Sequence, residues 1–186
     1  MRMAMQSRCA GFTLIELLVV VALAATLLSL AVPALGNMAN SIRLTAAVNA
    51  LFSSLLLARS EAIKRNSRAV VCKSASGDAC ITTGGWEQGW IVFHDANNNA
   101  SVDTGEVILS REQALPQPIR FTGNGPVASY VSYTAMGTTT YPSGAFQAGT
   151  LTVCTKSSTS VAAREIKINI SGRPRTLKTM VQDCTQ

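Results

Sequence analysis

The first part of the chain is dominated by apolar positions. Between Phe12 and Leu35 the only charged residue is Glu16. A helix of that length is about 36 Å long, which exceeds the roughly 30 Å of a bilayer core. Arg2 and Arg8 precede the stretch, and basic residues favour the cytoplasmic side of a membrane. The pattern therefore predicts a membrane-spanning helix whose N-terminal end stays in the cytoplasm.

Beyond this stretch the apolar positions recur at intervals of three and four residues, which is typical of an amphipathic helix. They are Ile42, Val48, Leu51, Phe52, Leu55, Ala58, Ala62 and Ile63. We therefore expect one helix from Phe12 to Lys64, interrupted or bent at Pro33 and Gly36. Its second half should pack on a globular head.

After Asn66 the sequence is rich in Gly, Ser, Thr, Val and Ile, which is typical of short strands joined by turns. The expected strands are Ala69–Lys73, Gly89–His94, Glu106–Ser110, Ile119–Thr122, Tyr130–Thr134, Gly149–Thr155 and Glu165–Ile170. The predicted fold class is therefore α+β. It combines a long N-terminal helix, membrane-spanning in its first half, with an antiparallel β-sheet head.

Charge and the rarity of histidine narrow the classes of function. The chain holds 16 Lys+Arg and 10 Asp+Glu, a net charge of +6, which favours an anionic partner such as nucleic acid. The single histidine, His94, excludes a metal site built from several histidines, and no nucleophile motif accompanies it. We therefore expect a protein that is not an enzyme and needs no cofactor. Trp86 and Trp90 are expected to pack in the core.

The segment Gly11-Phe12-Thr13-Leu14-Ile15-Glu16, after a short basic leader, resembles the processing site of type IV pilins and type II secretion pseudopilins. The resemblance implies that a prepilin peptidase cleaves after Gly11 and that Phe12 becomes the N-methylated first residue. It also implies a role for Glu16 in filament assembly. Its carboxylate can pair with the Phe12 amine of a neighbouring subunit, which offsets the cost of a charge in an apolar helix.

This resemblance divides the chain into four parts. Residues 1–11 are the leader peptide, residues 12–35 the membrane-spanning and filament-core helix, residues 36–66 the amphipathic helix that continues into the head, and residues 67–186 the β-rich head with its basic C-terminal loop. The chain would cross the inner membrane once and would then reside in the pilus, in the periplasm and at the cell surface. Its protein partners would be the peptidase and other pilins or pseudopilins.

Removal of the leader also removes Cys9 and leaves four cysteines, which allow three disulfide connectivities. We favour Cys72–Cys80 and Cys154–Cys184, because each pair joins locally related segments. The head of an exported protein lies in an oxidising compartment, where such bonds persist. A zinc site is the rival interpretation, and the cysteines lack its characteristic close spacing.

An Asp- and Asn-rich stretch follows the expected strand Gly89–His94. Its oxygen-bearing side chains have the spacing of the calcium-binding loop of EF-hand proteins. They belong to Asp95, Asn97, Asn99, Ser101, Asp103 and Glu106. Ala100 stands where that loop requires a glycine, so a β-hairpin loop rich in turn-forming residues is the preferred interpretation.

Basic residues outnumber acidic ones near the C-terminus. The alternation of apolar and polar residues around Lys167 directs that side chain away from the core. The glycine and proline of Gly172-Arg173-Pro174-Arg175 predict a stiff, exposed loop that holds both arginines, with Lys178 nearby. Guanidinium groups bind phosphates through paired hydrogen bonds. The alternative is a solvated charged loop without a ligand.

Features of the head narrow the resemblance. The stretch around Trp86 and Trp90, the Asn/Asp loop after it and the segment Gly105–Leu109 look like the head of the GspH/FimT group of minor pilins. The four residues from Gly172 to Arg175 are similar to the G-R-x-R motif of FimT-type minor pilins, which bind DNA during natural transformation. The resemblance implies DNA contacts at Arg173 and Arg175. We add Lys167 and Lys178 because of their positive charge and the direction in which their side chains are expected to point. The expected DNA-binding set is therefore Gly172, Arg173, Arg175, Lys178 and Lys167.

The sequence therefore favours a minor pilin of a type IV pilus that binds extracellular DNA without sequence specificity, for uptake in natural transformation. The rival is an H-type minor pseudopilin of the type II secretion system, with a structural role and no DNA binding. An adhesin for host glycans is a third class, and no residue of the sequence points to it.

Overall fold

The computed structural model describes residues 13–185, apart from the side chains at positions 33, 34 and 37. The predicted processing site at Gly11 and Phe12 lies outside the described residues. The chain divides into two compact units, Met1–Asn40 and Ser41–Gln186. In the first unit the described residues are helical from Leu14 onward, and their described side chains are exposed.

Helix α1 runs over Leu14–Arg65, close to the predicted bounds. The interruption expected at Pro33 and Gly36 is wrong, because α1 continues through both positions. A single proline removes one backbone hydrogen bond from a helix, and the flanking apolar turns keep theirs. Two parts of α1, Leu14–Val32 and Met38–Arg65, are long and apolar enough to cross a membrane. The second part packs into the head, and the first has no buried residue.

Eight strands form two four-stranded antiparallel sheets in the second unit. The strands are β1 (Arg68–Lys73), β2 (Trp90–Asp95), β3 (Ile108–Glu112), β4 (Ile119–Gly123), β5 (Tyr130–Tyr133), β6 (Gly149–Thr155), β7 (Val161–Ile168) and β8 (Pro174–Val181). The first sheet has the order β3-β2-β1-β5 and the second the order β4-β6-β7-β8. Short 3-10 helices occur at Trp86–Gln88 and Gly125–Val127.

The main hydrophobic core fills the space between the buried stripe of α1 and the two sheets. Leu51 and Leu55 from α1 and Val92 from β2 belong to it, and all its buried residues lie in the second unit. Trp86 and Trp90 are fully buried, as the sequence predicts. Their indole N–H groups remain hydrogen-bonded, that of Trp86 to the carbonyl oxygen of Val127 and that of Trp90 to the Ser54 hydroxyl. The head therefore carries a complete core of its own.

Two disulfides close loops of very different size. Cys72–Cys80 spans 8 residues and lies at the end of β1, while Cys154–Cys184 spans 30 residues and ties the C-terminal segment to β6. Both are the pairs favoured from the sequence. Both cysteines of the second bond and Ala163 of β7 form a small buried cluster of their own.

Candidate nucleic-acid interface

The hairpin of β7 and β8 organises the basic residues near the C-terminus. Lys167 lies opposite Arg175 in the antiparallel register, and Glu165 lies opposite Leu177. Directly opposed residues share one face of a sheet. Ile166 and Ile168 occupy the other face and are buried. Lys167 and Arg175 therefore lie side by side on the outer, solvent-facing surface of the second sheet.

Arg173 lies in the turn that precedes β8, and Arg175 lies within the strand. The sequence-based expectation of one loop holding both arginines is therefore wrong for Arg175. The strand begins at Pro174, which pairs with Ile168 across the hairpin. Because β8 is the edge strand of its sheet, the exposed side chain of Arg175 stands at a free margin of the head.

Lys178 lies on the opposite face of the hairpin from Arg175. Its cross-strand partner is Arg164, and both residues line a groove of about 400 Å³ beside α1. Arg164 donates a hydrogen bond from Nη2 to the Ser41 hydroxyl at 3.1 Å. The expected DNA-binding set is thus divided by the sheet. Arg173, Arg175 and Lys167 belong to the turn and the outer face, while Lys178 belongs to the groove side of the edge strand.

Gly172 shapes the turn that carries Arg173. It is buried, its φ is +71°, and a Cβ at this position would overlap the Gly137 carbonyl oxygen. That oxygen also accepts a hydrogen bond from Arg59 Nε on α1, at 2.9 Å. Tyr133 lies under the same turn, and burial raises the pKa of its phenol, so the ring stays uncharged. Gly172 therefore positions the turn and offers no surface to a ligand.

Few acidic groups oppose the basic residues of this hairpin. Lys167 Nζ lies 3.3 Å from Glu165 Oε2 on the same face. Within residues 13–185, no carboxylate forms an ion pair with Arg173, Arg175 or Lys178. A charged side chain without an ion-pair partner keeps its full electrostatic potential in the surrounding solvent. The hairpin can therefore attract an anion of extended shape along its edge.

Sequence reasoning missed two residues that build this region, Arg59 and Arg164. Arg59 lies off the apolar stripe of α1, and its bond to Gly137 joins segments that are distant in the sequence. Arg164 precedes the part of β7 that the sequence identified. No local pattern marks either residue, because their roles depend on which segments meet in the folded head.

The Asn/Asp loop after β2 satisfies its carboxylates internally. Asp95 accepts hydrogen bonds from the backbone N–H groups of Asn99 and Ala100, and Glu106 accepts from those of Ala96 and Asp103. The remaining members of the expected calcium set are Asn97, Asn99, Ser101 and Asp103, and all of them lie in the same loop.

The amide side chains of this loop act as donors. Asn97 and Asn99 donate to Asp103 Oδ2 at 2.8 and 2.7 Å, which lowers the pKa of Asp103. Within the described part of the chain, no group of three or more His, Cys, Asp or Glu side chains is placed to hold a metal ion. The arrangement is that of a hairpin loop held by its own hydrogen bonds.

Glu16 lies in the first turn of α1 and is exposed. Its backbone N–H donates to the Thr13 hydroxyl at 3.3 Å. No cation among residues 13–185 lies within ion-pair distance of its carboxylate.

Comparisons with known proteins place this architecture in a family. The model of the family described as type II transport protein GspH matches residues 47–172, most of the head. The chain belongs to the GspH family. A second model, the prokaryotic N-terminal methylation motif, matches residues 6–32. No curated protein sequence matches the chain significantly.

Solved structures support the fold of this GspH-family protein. Two crystal forms of the type IV minor pilin FimU from Pseudomonas aeruginosa (strain PAO1) are similar to it, each with 18% sequence identity. The matches cover 76% of this chain and 94% or 99% of the FimU chains, with TM-scores of 0.55 and 0.53. The shared features are the long helix and the antiparallel head of the type IV pilin fold.

Family and motif together define the general role of the GspH-family protein. It is a minor pilin or pseudopilin, a structural component that associates with other pilins and is processed by prepilin peptidase. Its apolar N-terminal helix fits anchoring in the inner membrane before assembly. Proteins of this kind are not enzymes, which agrees with the expectation from the sequence.

Proposed function

We propose that this protein is a minor pilin of a type IV pilus and that it binds extracellular DNA for uptake in natural transformation. The observation that carries the proposal is the juxtaposition of Arg175 with Lys167 on the outer face, next to Arg173 in the turn. Phosphates of a DNA backbone recur along a line, and a free sheet edge with several cations matches that geometry.

Binding through phosphates does not depend on base sequence. Arg173 and Arg175 make the principal contacts in this proposal, with Lys167 beside them and Lys178 reaching the backbone from the groove side. Gly172 keeps the turn close to Gly137, so that Arg173 is held at a fixed place. The affinity of one head is modest, and several copies in one filament add avidity.

The match to the GspH model favours a second candidate, an H-type minor pseudopilin of the type II secretion system. In that role the protein contributes to the structure of the secretion filament and does not bind DNA. The fold and the methylation motif suit both candidates equally. Direct measurement of DNA binding separates them.

The test is the affinity of the full chain, purified in detergent, for a fluorescent DNA duplex of random sequence. The Arg173→Gln/Arg175→Gln variant should bind at least about tenfold more weakly, because two charge-assisted phosphate contacts are lost. Arg43→Gln/Lys156→Gln is the matched control. It removes the same charge from two exposed residues, and Lys156 lies beyond the end of β6 that is remote from the turn.

Three outcomes decide between the proposals. A selective loss in the arginine variant supports the DNA-binding role and its site. Equal losses in both variants would overturn the site, because only net charge would then matter. A wild-type chain without measurable DNA binding would overturn the function and favour the secretion role. A secretion defect and normal transformation in a deletion strain would agree with that last outcome.

A further inference from the structure

Three residues with exposed apolar side chains belong to segments that meet near the turn that carries Arg173. Met136, Phe146 and Ile170 are 80%, 68% and 51% exposed, and we name them the turn patch. Phe146 is the only exposed aromatic residue in the part of the chain that the structure describes; the others are buried or half-buried. A large aromatic ring left in water on a head with a complete core suggests a ligand.

Backbone contacts bring the three members of the turn patch together. The Gly137 carbonyl oxygen lies against Gly172, which places Met136 next to the turn. The N–H of Thr139 donates to the Ile170 carbonyl oxygen at 3.4 Å.

The hydroxyl of Thr139 connects Phe146 to the same place. Thr139 Oγ1 lies 2.6 Å from the carbonyl oxygen of Gln147 and 3.0 Å from that of Asn169. Phe146 directly precedes Gln147, and Asn169 directly precedes Ile170. Phe146 therefore lies near the end of the hairpin that holds the cations of the proposed interface.

Exposed and buried residues alternate in the segment before β6, and this alternation indicates on which face Phe146 lies. Gln147 is buried, while Phe146 and Ala148 are exposed on either side of it. Lys167 and Arg175 share the outer face of the adjoining strands. Thr150 of β6 lies opposite Lys167, and alternation places Phe146, four residues earlier, on the same side of the sheet as the two cations.

Aromatic side chains next to basic side chains on an exposed surface can bind single-stranded nucleic acid. Aromatic side chains stack on unpaired bases while basic residues follow the phosphate backbone, and the stacking tolerates any sequence. In a duplex the bases are already stacked and paired, so the ring has no base face to contact except at an end.

We propose that Phe146 is a base-stacking residue and that the head therefore binds single-stranded DNA in preference to duplex DNA. This inference rests on the proposed DNA-binding function and names its substrate class. The cations of the turn and the outer face hold the backbone, while Phe146 holds one unpaired base.

The experiment compares an oligodeoxythymidine strand with a duplex of the same length, using the full chain in detergent at one salt concentration. The wild-type chain should bind the single strand more tightly. Phe146→Ala should weaken single-strand binding by about fivefold or more and leave duplex binding unchanged. Phe146→Trp should retain the preference, whereas Phe146→Leu should behave like Phe146→Ala because it is apolar and cannot stack.

Failure of this inference is distinct from failure of the proposed function. Duplex binding that depends on Arg173 and Arg175, together with single-strand binding indifferent to Phe146, would overturn the inference alone. Absence of binding to either DNA would overturn both. A loss of co-assembly with other pilins in Phe146→Ala, at unchanged DNA affinity, would assign the turn patch to a filament contact instead. Since Phe146 is exposed, unchanged thermal unfolding in all three variants is the folding control.

Discussion

Gly172 lies directly against the carbonyl group of Gly137, and no side chain fits between them. Through this contact the turn between β7 and β8 packs on a second turn, the one that contains Gly137. Arg59 of α1 donates a hydrogen bond to the Gly137 carbonyl oxygen and so connects this second turn to the helix. The basic hairpin is therefore connected to the helix that carries the head. The position of Arg173 therefore depends on Gly172, which is buried.

Replacing Gly172 by alanine should displace this turn. The change adds a Cβ that overlaps a backbone oxygen, in a residue whose φ is +71°. We expect a loss of about 2–3 kcal/mol in the free energy of unfolding of the second unit, residues 41–186, and a severalfold weaker affinity of the full chain for DNA. Urea denaturation and fluorescence anisotropy measure the two effects.

Gly144→Ala is the matched control for that prediction. Gly144 also has a positive φ, +87°, yet a Cβ there meets nothing within 4 Å. It should cost only about 1 kcal/mol, the strain of the backbone conformation. Similar losses in both variants would show that conformational strain, rather than the contact with Gly137, accounts for the effect.

Salt dependence should report the number of phosphates contacted. Three or four contacts predict a slope of about −3 to −4 for log affinity against log salt on duplex DNA. Arg175→Gln should reduce the magnitude of the slope by about 0.9. Lys178→Gln should reduce it less, because Lys178 lies on the other face of β8. Equal reductions would show that Lys178 contacts the phosphate backbone as fully as Arg175 does.

The sequence predicts well the elements that bury a regular face. The apolar run and the three-and-four spacing locate α1, and the alternation in β6 locates that strand to its last residue. Strand β8 is not predicted by the sequence, because it lacks such a face. The residues from Arg175 to Lys178 are all exposed, so no buried face marks the pattern.

The sequence predicts only part of the candidate site, because the site depends on tertiary contacts between distant segments. The charges and turn residues of Gly172–Arg175 are visible in the sequence. The division of Lys178 from Arg175 follows from the register of a strand that the sequence did not reveal. The contact of Gly172 with Gly137 joins two turns far apart in the chain, which no local pattern encodes.

Acid should destabilise the Asn/Asp loop through Asp103. Hydrogen bonds from Asn97 and Asn99 lower its pKa below the ordinary value of 3.8. A carboxyl group whose pKa is lowered by folding stabilises the folded state at pH values above its ordinary pKa. This stabilisation is lost as the pH falls through the lowered pKa. Asp103→Asn should therefore be less stable than wild type at neutral pH and equal to it at strongly acidic pH. Urea midpoints measured against pH test this, and Asn97→Ala should narrow the difference.

The two disulfides should differ in what they contribute. Loop-closure entropy predicts about 2.5 kcal/mol for Cys72–Cys80, which spans 8 residues, and about 3.6 kcal/mol for Cys154–Cys184, which spans 30. Paired Cys→Ser variants of residues 41–186, compared by urea denaturation, measure both. A larger loss from the shorter loop would show that native packing, and not chain entropy, sets the order.

Glu16 should control entry into the filament. A carboxylate in an apolar helix costs about 2.5–3.5 kcal/mol in a membrane, and a partner in the filament offsets this cost. Among residues 13–185 no ion pair of Glu16 is found, so the prediction assigns its partner to a neighbouring subunit. Glu16→Gln should leave membrane insertion intact and reduce the share of the chain recovered with sheared filaments, while Glu16→Asp should retain part of it. Recovery of Glu16→Gln at the wild-type level would mean that the carboxylate is not used in assembly.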